Sequence, residues 1–276
     1  MKILVLIADT LRELSGKAML IILISVSTLF LLGSLLAFSA RETPEGVILS
    51  FFGREAGAAV PPDQVALFVD GIQSGLVSGL LTGVVLFGVF ATAGVVPALL
   101  EKGVADLYLS KPLSRWELLG GKYLGAVAAV FICALYFIGA LFLVFGLRAG
   151  VWNVNLLLAM LGVLLVFAAI HAIVVFIGVL SGSTALSILG AYFYLFVLAN
   201  VLNGREATLY IFSSNEIFRS SVDGLYYLFP QIPGMRDEIV KFVGRGEARW
   251  EPFVQSAASG LAILFGAALI FRRKDF

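Results

Sequence analysis

Two side chains suited to nucleophilic or proton-transfer work at neutral pH, Cys133 and His171, occur once each in the chain. One cysteine and one histidine make neither a disulfide framework nor a zinc site within a single chain. No H-E-x-x-H string is present. The phosphate-cradling G-x-x-x-x-G-K-[ST] loop is missing too; its nearest approach, Gly120-Gly121-Lys122-Tyr123, lacks the upstream glycine and the hydroxyl. Charge is instead concentrated in residues 101–122, where Glu101, Lys102, Asp106, Lys111, Arg115 and Glu117 flank Pro112.

The layout of that segment predicts an elbow. Val104, Leu107 and Tyr108 can form one apolar face of a short helix, with Glu101, Lys102 and Asp106 away from it. Pro112 ends this helix, because the residue before a proline is pushed out of the α region. Ser114 and Glu117 have capping-box spacing and restart a helix. A stiff helix–break–helix can receive a push from a soluble partner. It can equally be a well-capped polar connector, and local physics does not choose between the two.

The elements that must carry this elbow follow from composition. Of 276 residues, 60% are hydrophobic and 13% charged, with a mean hydropathy of +1.02 and a net charge of +1. Soluble domains average roughly 45–50% apolar and 25% charged residues. The balance excludes a disordered chain, and the absence of a basic excess argues against nucleic acid as a partner. The lipid bilayer is the solvent that fits. Six stretches are apolar for roughly the 20 residues a span requires: 18–38, 75–100, 123–147, 156–180, 185–202 and 253–271. None contains Asp, Glu, Lys or Arg. The expected fold is an all-α membrane protein with one transmembrane domain over residues 1–276. Short inner segments hold ten Lys and Arg against three in short outer ones, which places both termini in the cytoplasm and the chain in the cytoplasmic membrane.

Residues 1–17 read as a retained amphipathic helix and not a removed signal peptide. Ile3, Leu4, Ile7, Leu11 and Leu14 form its apolar face, and Lys2, Asp9, Arg12 and Glu13 its polar face. It can lie in the headgroup plane or pack on a soluble partner. Pro61-Pro62-Asp63 marks a helix start well ahead of the second span. The external segment 203–252 is aromatic-rich and expected to be folded, either dipping into the outer leaflet or forming its own cap. Gly75, Gly79 and Gly83 recur every four residues, a spacing for close helix packing within the chain or along a dimer seam. His171 is a proton relay or ligand in its sharper use, and a neutral imidazole hydrogen-bonded to a neighbouring helix in its plainer one. Cys133 reads as a small packing residue. Ser25, Thr28, Ser78, Thr82, Tyr136, Tyr192 and Asn200 in the spans suit helix–helix hydrogen bonds or substrate contact.

Glu101-Lys102-Gly103, then Leu109-Ser110-Lys111-Pro112-Leu113-Ser114-Arg115, then Glu117-Leu118-Leu119-Gly120-Gly121-Lys122-Tyr123-Leu124-Gly125, resembles the segment before the third span of ABC type-2 permeases. The basic ending 271–276, the amphipathic start and Tyr226-Tyr227-Leu228-Phe229-Pro230 resemble that family as well. The resemblance implies a non-catalytic membrane subunit of an exporter, with no cofactor of its own. A separate ABC ATP-binding subunit would bind and hydrolyse ATP, and a second permease chain, identical or not, would complete the pore. It implies that 101–122 is the coupling helix, with Glu101, Lys102, Asp106, Lys111, Pro112, Arg115 and Glu117 meeting the ATPase, and that 1–17 is an interfacial connecting helix. An integral membrane enzyme would need polar catalytic groups at depth, an ATP-independent carrier would work when reconstituted alone, and a scaffold would do neither.

Overall fold

The computed structural model describes residues 2–16, 18–44, 46–55, 57, 59–101, 103–104 and 113–274. Helix α1 covers Lys2–Ser15 and α2 covers Ala18–Ala37. A three-stranded antiparallel sheet follows, β1 (Phe38–Thr43), β2 (Gly46–Phe51) and β3 (Arg54–Glu55), in the order β1-β2-β3. Then come α3 (Pro62–Thr92), α4 (Val95–Leu99), α5 (Arg115–Ala149) and α6 (Val154–Ser181). Helix α7 (Thr184–Phe193) passes through one π-helical stretch, Tyr194–Leu198, into α8 (Ala199–Asn203). Three short helices, α9 (Arg205–Thr208), α10 (Glu216–Leu228) and α11 (Ile232–Val243), lead to the last long one, α12 (Glu251–Arg273).

The chain is a largely α-helical, multi-span membrane bundle. Among the described residues five helical stretches are long and apolar enough to cross a bilayer: Pro62–Leu99, Arg115–Ala149, Val154–Ser181, Thr184–Asn203 and Glu251–Arg273. Helix α2 is a further apolar helix of 20 residues with no charged side chain, about 30 Å long at 1.5 Å per residue.

The long helices alternate in direction, and their ends are tied at two poles. At one pole Asn153, capping α6, donates to Asp70 and Gln73 near the start of α3 and to the Val243 carbonyl at the end of α11. At the other pole Arg115, opening α5, reaches the last carbonyls of α12. Helix α6 lies centrally, packed by α3, α5, α7, α11 and α12. Its Leu156, Ile170, Ala172, Val175 and Val179 are fully buried. Lipid-facing side chains such as Leu29, Leu147 and Leu189 are open, as an apolar solvent permits.

Several terminations are set by local chemistry. The Ser114 hydroxyl accepts from the Glu117 N–H and the Glu117 carboxylate accepts from the Ser114 N–H, a complete capping box. Gly150 and Gly182 close α5 and α6 in the left-handed conformation. Pro62 starts α3, as the sequence indicates, so the second long helix begins thirteen residues ahead of the apolar stretch 75–100. That helix is also interrupted, at Ala93–Gly94, before α4.

The sheet was not anticipated. Phe38 pairs with Phe51 and Thr43 with Gly46 in the β1–β2 register, and the Val47–Val60 bridge adds two backbone hydrogen bonds. Phe52 and Gly53, both at positive φ, make the two-residue turn to β3. Phe38 packs on the Phe145 ring of α5, which seats the sheet on the bundle.

Candidate functional site

The described end of the charged motif, residues 113–122, opens α5, and there α1 is seated. Gly121 and Gly125 lie one turn apart on α5. A Cβ added to Gly121 would come within 2.6 Å of Leu6 Cβ, and one on Gly125 within 2.5 Å of Thr10 Cβ. Only glycine admits α1 at this separation. Between them stands Lys122, 2% exposed, whose Nζ donates to Asp9 Oδ2 at 2.9 Å and Glu13 Oε2 at 3.0 Å. The Gly120–Gly125 string thus reads as a socket: two glycines set the depth and one lysine sets the register.

Helix α1 therefore packs by a side that its apolar face only partly covers. Leu6, Thr10 and Leu14 are its buried residues, whereas Ile3 and Leu4 are 42% and 69% exposed. Asp9 and Glu13, assigned to a solvated face, grip Lys122. The neighbour, more than the hydrophobicity of α1 itself, selects the packed side. The uncovered Ile3, Leu4 and Val5 remain available to headgroups and acyl chains.

Two of the elbow residues serve within the chain. Arg115 Nη1 donates to the carbonyls of Arg272, at 2.8 Å, and Lys274, so a guanidinium caps the C-terminus of α12. Glu117 closes its own capping box and lies 4.0 Å from Lys2 of α1. Glu101 is exposed just after α4. Lys102, Asp106, Lys111 and Pro112 lie outside the described residues, as does most of the predicted short helix before Pro112.

Deeper in the bundle His171 is fully buried between the rings of Tyr123 and Phe167, at 5.5 and 5.4 Å. Its Nδ1 lies 3.2 Å from Thr92 Oγ1, while that hydroxyl donates to the Gly88 carbonyl. A hydroxyl has one proton, so the imidazole must supply the second: Nδ1–H donates to Thr92, and Nε2 carries a lone pair with no partner among the described residues. This is the plainer of the two expected roles, a hydrogen bond to a neighbouring helix.

Among the described residues, Gly75 and Gly79 meet no atom within 4 Å of an added Cβ and Gly83 meets only Phe87 of its own helix, so none of the three closes a helix contact with them. One turn further along α3, Thr82 and Leu86 form one wall of a lateral groove of about 340 Å³. Leu195 and Phe196 of the π-helical stretch form the opposite wall, and Arg236 and Asp237 of α11 one end.

The opposite pole holds a polar cluster that charge counting missed. Asp70 is 1% exposed although it belongs to α3; it accepts from Asn153 at 2.9 Å and pairs with Arg245 at 2.5 Å. The apolar stretches lack charge, but the helices that contain them do not. Segment 203–252 is folded, and its aromatics divide. Tyr194 of the long helix donates to the Pro230 carbonyl and stacks on Phe229, whereas Phe212, Tyr227 and Trp250 are open. No group of three or more His, Cys, Asp or Glu able to hold a metal occurs among the described residues. A scan against protein-family models finds no match to this chain, and neither does a search of curated proteins.

Proposed function

We propose that the chain is the permease subunit of an ABC transporter, driven by a separate ATPase that docks at the pole where α1 sits on α5. The observation that carries this reading is the motif of residues 101–125. Its acidic–glycine, Lys-Pro and Gly-Lys parts follow one another in order, and the last part is the socket that holds an amphipathic N-terminal helix. In this reading α2 is the sixth span, both termini are cytoplasmic, and 101–113 presents the coupling surface, with Glu101, Lys102, Asp106, Lys111 and Pro112 toward the ATPase. Arg115 and Glu117 act one step behind that surface: Glu117 caps the start of α5 and Arg115 ties that start to the end of α12, so that a push at the elbow is delivered to two long helices together. Export of an unidentified cargo and pairing with a second permease chain complete the proposal; the glycines left open on α3 supply a smooth face for the pairing.

The test is co-expression with the candidate ATP-binding partner and capture of the tagged permease. The partner should co-purify, and Glu101→Ala with Asp106→Ala should reduce its recovery about tenfold, as expected when charged contacts worth about 1–2 kcal/mol are lost at an interface. Vectorial transport by the chain reconstituted alone would end the proposal.

A further inference from the structure

The lateral groove between α3 and the π-helical stretch is built like a binding site. Its floor is apolar and buried, formed by Leu81, Val85, Val166 and Ile232. Its rim is polar, with Thr82, Asn200, Asn203, Arg236 and Asp237. The volume of about 340 Å³ falls at the lower end of the roughly 300–1,000 Å³ usual for ligand pockets. A π-helical turn widens the helix and leaves carbonyls without their i+4 donors, a feature enriched at functional positions. Here the Asn200 amide donates to the Leu195 and Phe196 carbonyls at 2.8 and 3.2 Å, so the widened wall is held in place by a side chain of the groove itself.

The charges on the rim indicate the occupant. Arg236 donates one hydrogen bond, 2.7 Å to Ser78 Oγ, and has no carboxylate within salt-bridge distance among the described residues. A guanidinium has five N–H donors in a fork that suits phosphate. Asp237 supplies the opposite charge on the same rim, and the pair sums to zero. A net-anionic head would meet Asp237 and a net-cationic one Arg236, whereas a head carrying both charges meets a partner for each. Phe196 of the wall is exposed, as are the neighbouring Phe193 and Val197, so an acyl chain that lies on Leu81 and Val85 can continue along this apolar surface.

We infer that this groove binds an amphiphile with a zwitterionic phosphate–amine head, the phosphate at Arg236 and the ammonium at Asp237. That such an amphiphile is also the cargo rests on the permease reading above; its binding does not.

The experiment is photolabelling of the purified full chain, without any ATPase, by a lysophosphatidylethanolamine bearing a diazirine in its acyl chain, with peptide mapping by mass spectrometry. Label should fall on the peptides containing Leu86 and Phe196. Unlabelled lysophosphatidylethanolamine should compete at about tenfold lower concentration than a phosphatidylglycerol-type lysolipid or a maltoside of equal chain length. Arg236→Ala and Asp237→Ala should each reduce labelling about tenfold, and Leu143→Ala, in a separate lipid-facing groove between α2 and α5, should leave it unchanged. Equal competition by the maltoside, or preference for the anionic lysolipid, would overturn the inference on the wild-type chain alone, without reliance on any variant folding. Failure of an ATPase to co-purify would sink the transporter reading and leave this result standing.

Discussion

Lys122 is the buried member of its ion pairs, while Asp9 and Glu13 keep 46% and 34% of their side chains in contact with solvent. Removing either side of the interaction is therefore not equivalent. Replacing Lys122 by Met leaves two carboxylates that can turn toward water and should cost about 1 kcal/mol. Asp9→Asn with Glu13→Gln removes two carboxylates from beside an ammonium that is itself buried, and should cost about 3 kcal/mol. Thermal unfolding in detergent measures the difference; equal losses would show that the lysine reaches water. His171 permits a second comparison at this scale. Thr92→Val removes the acceptor of the imidazole N–H and should cost about 1–3 kcal/mol, the cost of a buried unsatisfied donor. Adding His171→Phe should recover most of that loss, because an apolar ring of similar shape needs no partner between Tyr123 and Phe167. If the double variant is no better than Thr92→Val, the tautomer assigned from the hydroxyl's single proton is wrong.

At the scale of elements, the seat of α1 depends on missing side chains. Gly125→Leu would drive a branched side chain into Thr10, which the structure already places 2.5 Å from a bare Cβ. Overpacking of this kind costs about 1–3 kcal/mol, and α1 should lift off, seen as faster hydrogen exchange over residues 2–15 with α5 unchanged. A second element, the connection from α11 to α12, is closed by Glu238, which accepts from the Arg249 N–H at 2.9 Å. That hydrogen bond, helped by the Arg249 guanidinium, holds the Glu238 carboxyl below the usual carboxylate range. Since the folded value is the lower one, the stabilisation is complete above the ordinary glutamate pKa of about 4.3 and fades as pH falls below it. Protection of the Arg249 amide, taken relative to its intrinsic exchange rate at each pH, should be high at pH 6 and fall toward pH 3; a flat protection profile would remove the role assigned to Glu238. Legibility follows from how local each device is. The capping box at Ser114, the proline start of α3 and the apolar lengths are written within a few consecutive residues, and sequence reading finds them. The packed face of α1 is decided by two glycines more than a hundred residues away, so periodicity finds the apolar face but not the packing of Leu6 and Thr10. The sheet depends on six-residue strands seated on Phe145, too short to stand out beside the helices, and the groove exists only once α3, α8 and α11 converge.

For the molecule as a whole, the two poles differ in kind, and the difference bears on which side each faces. One pole carries a helix with exposed Ile3, Leu4 and Val5, the basic Arg272 and Arg273, and the entrance to the charged motif. The other carries the sheet, three short helices and the cluster in which Asp70, Asn153 and Arg245 bind α3, α6 and the end of α11 into one unit. If α2 crosses as proposed, six traverses return the chain to the pole it left; the start of α5 meets both the end of α12, through Arg115, and α1, through Lys122. In the proposed reading, which follows the positive-inside rule, that shared pole is cytoplasmic. In a background lacking Cys133, Arg54→Cys on β3 should react with a membrane-impermeant maleimide added to intact cells, and Ser15→Cys at the end of α1 should react only after permeabilisation. Both positions are exposed in the folded chain, so a failure to react reports on the membrane and not on burial. Labelling of Ser15→Cys from outside would invert the molecule and place the elbow beyond the reach of any cytoplasmic ATPase. Labelling of both from outside would mean that α2 does not cross.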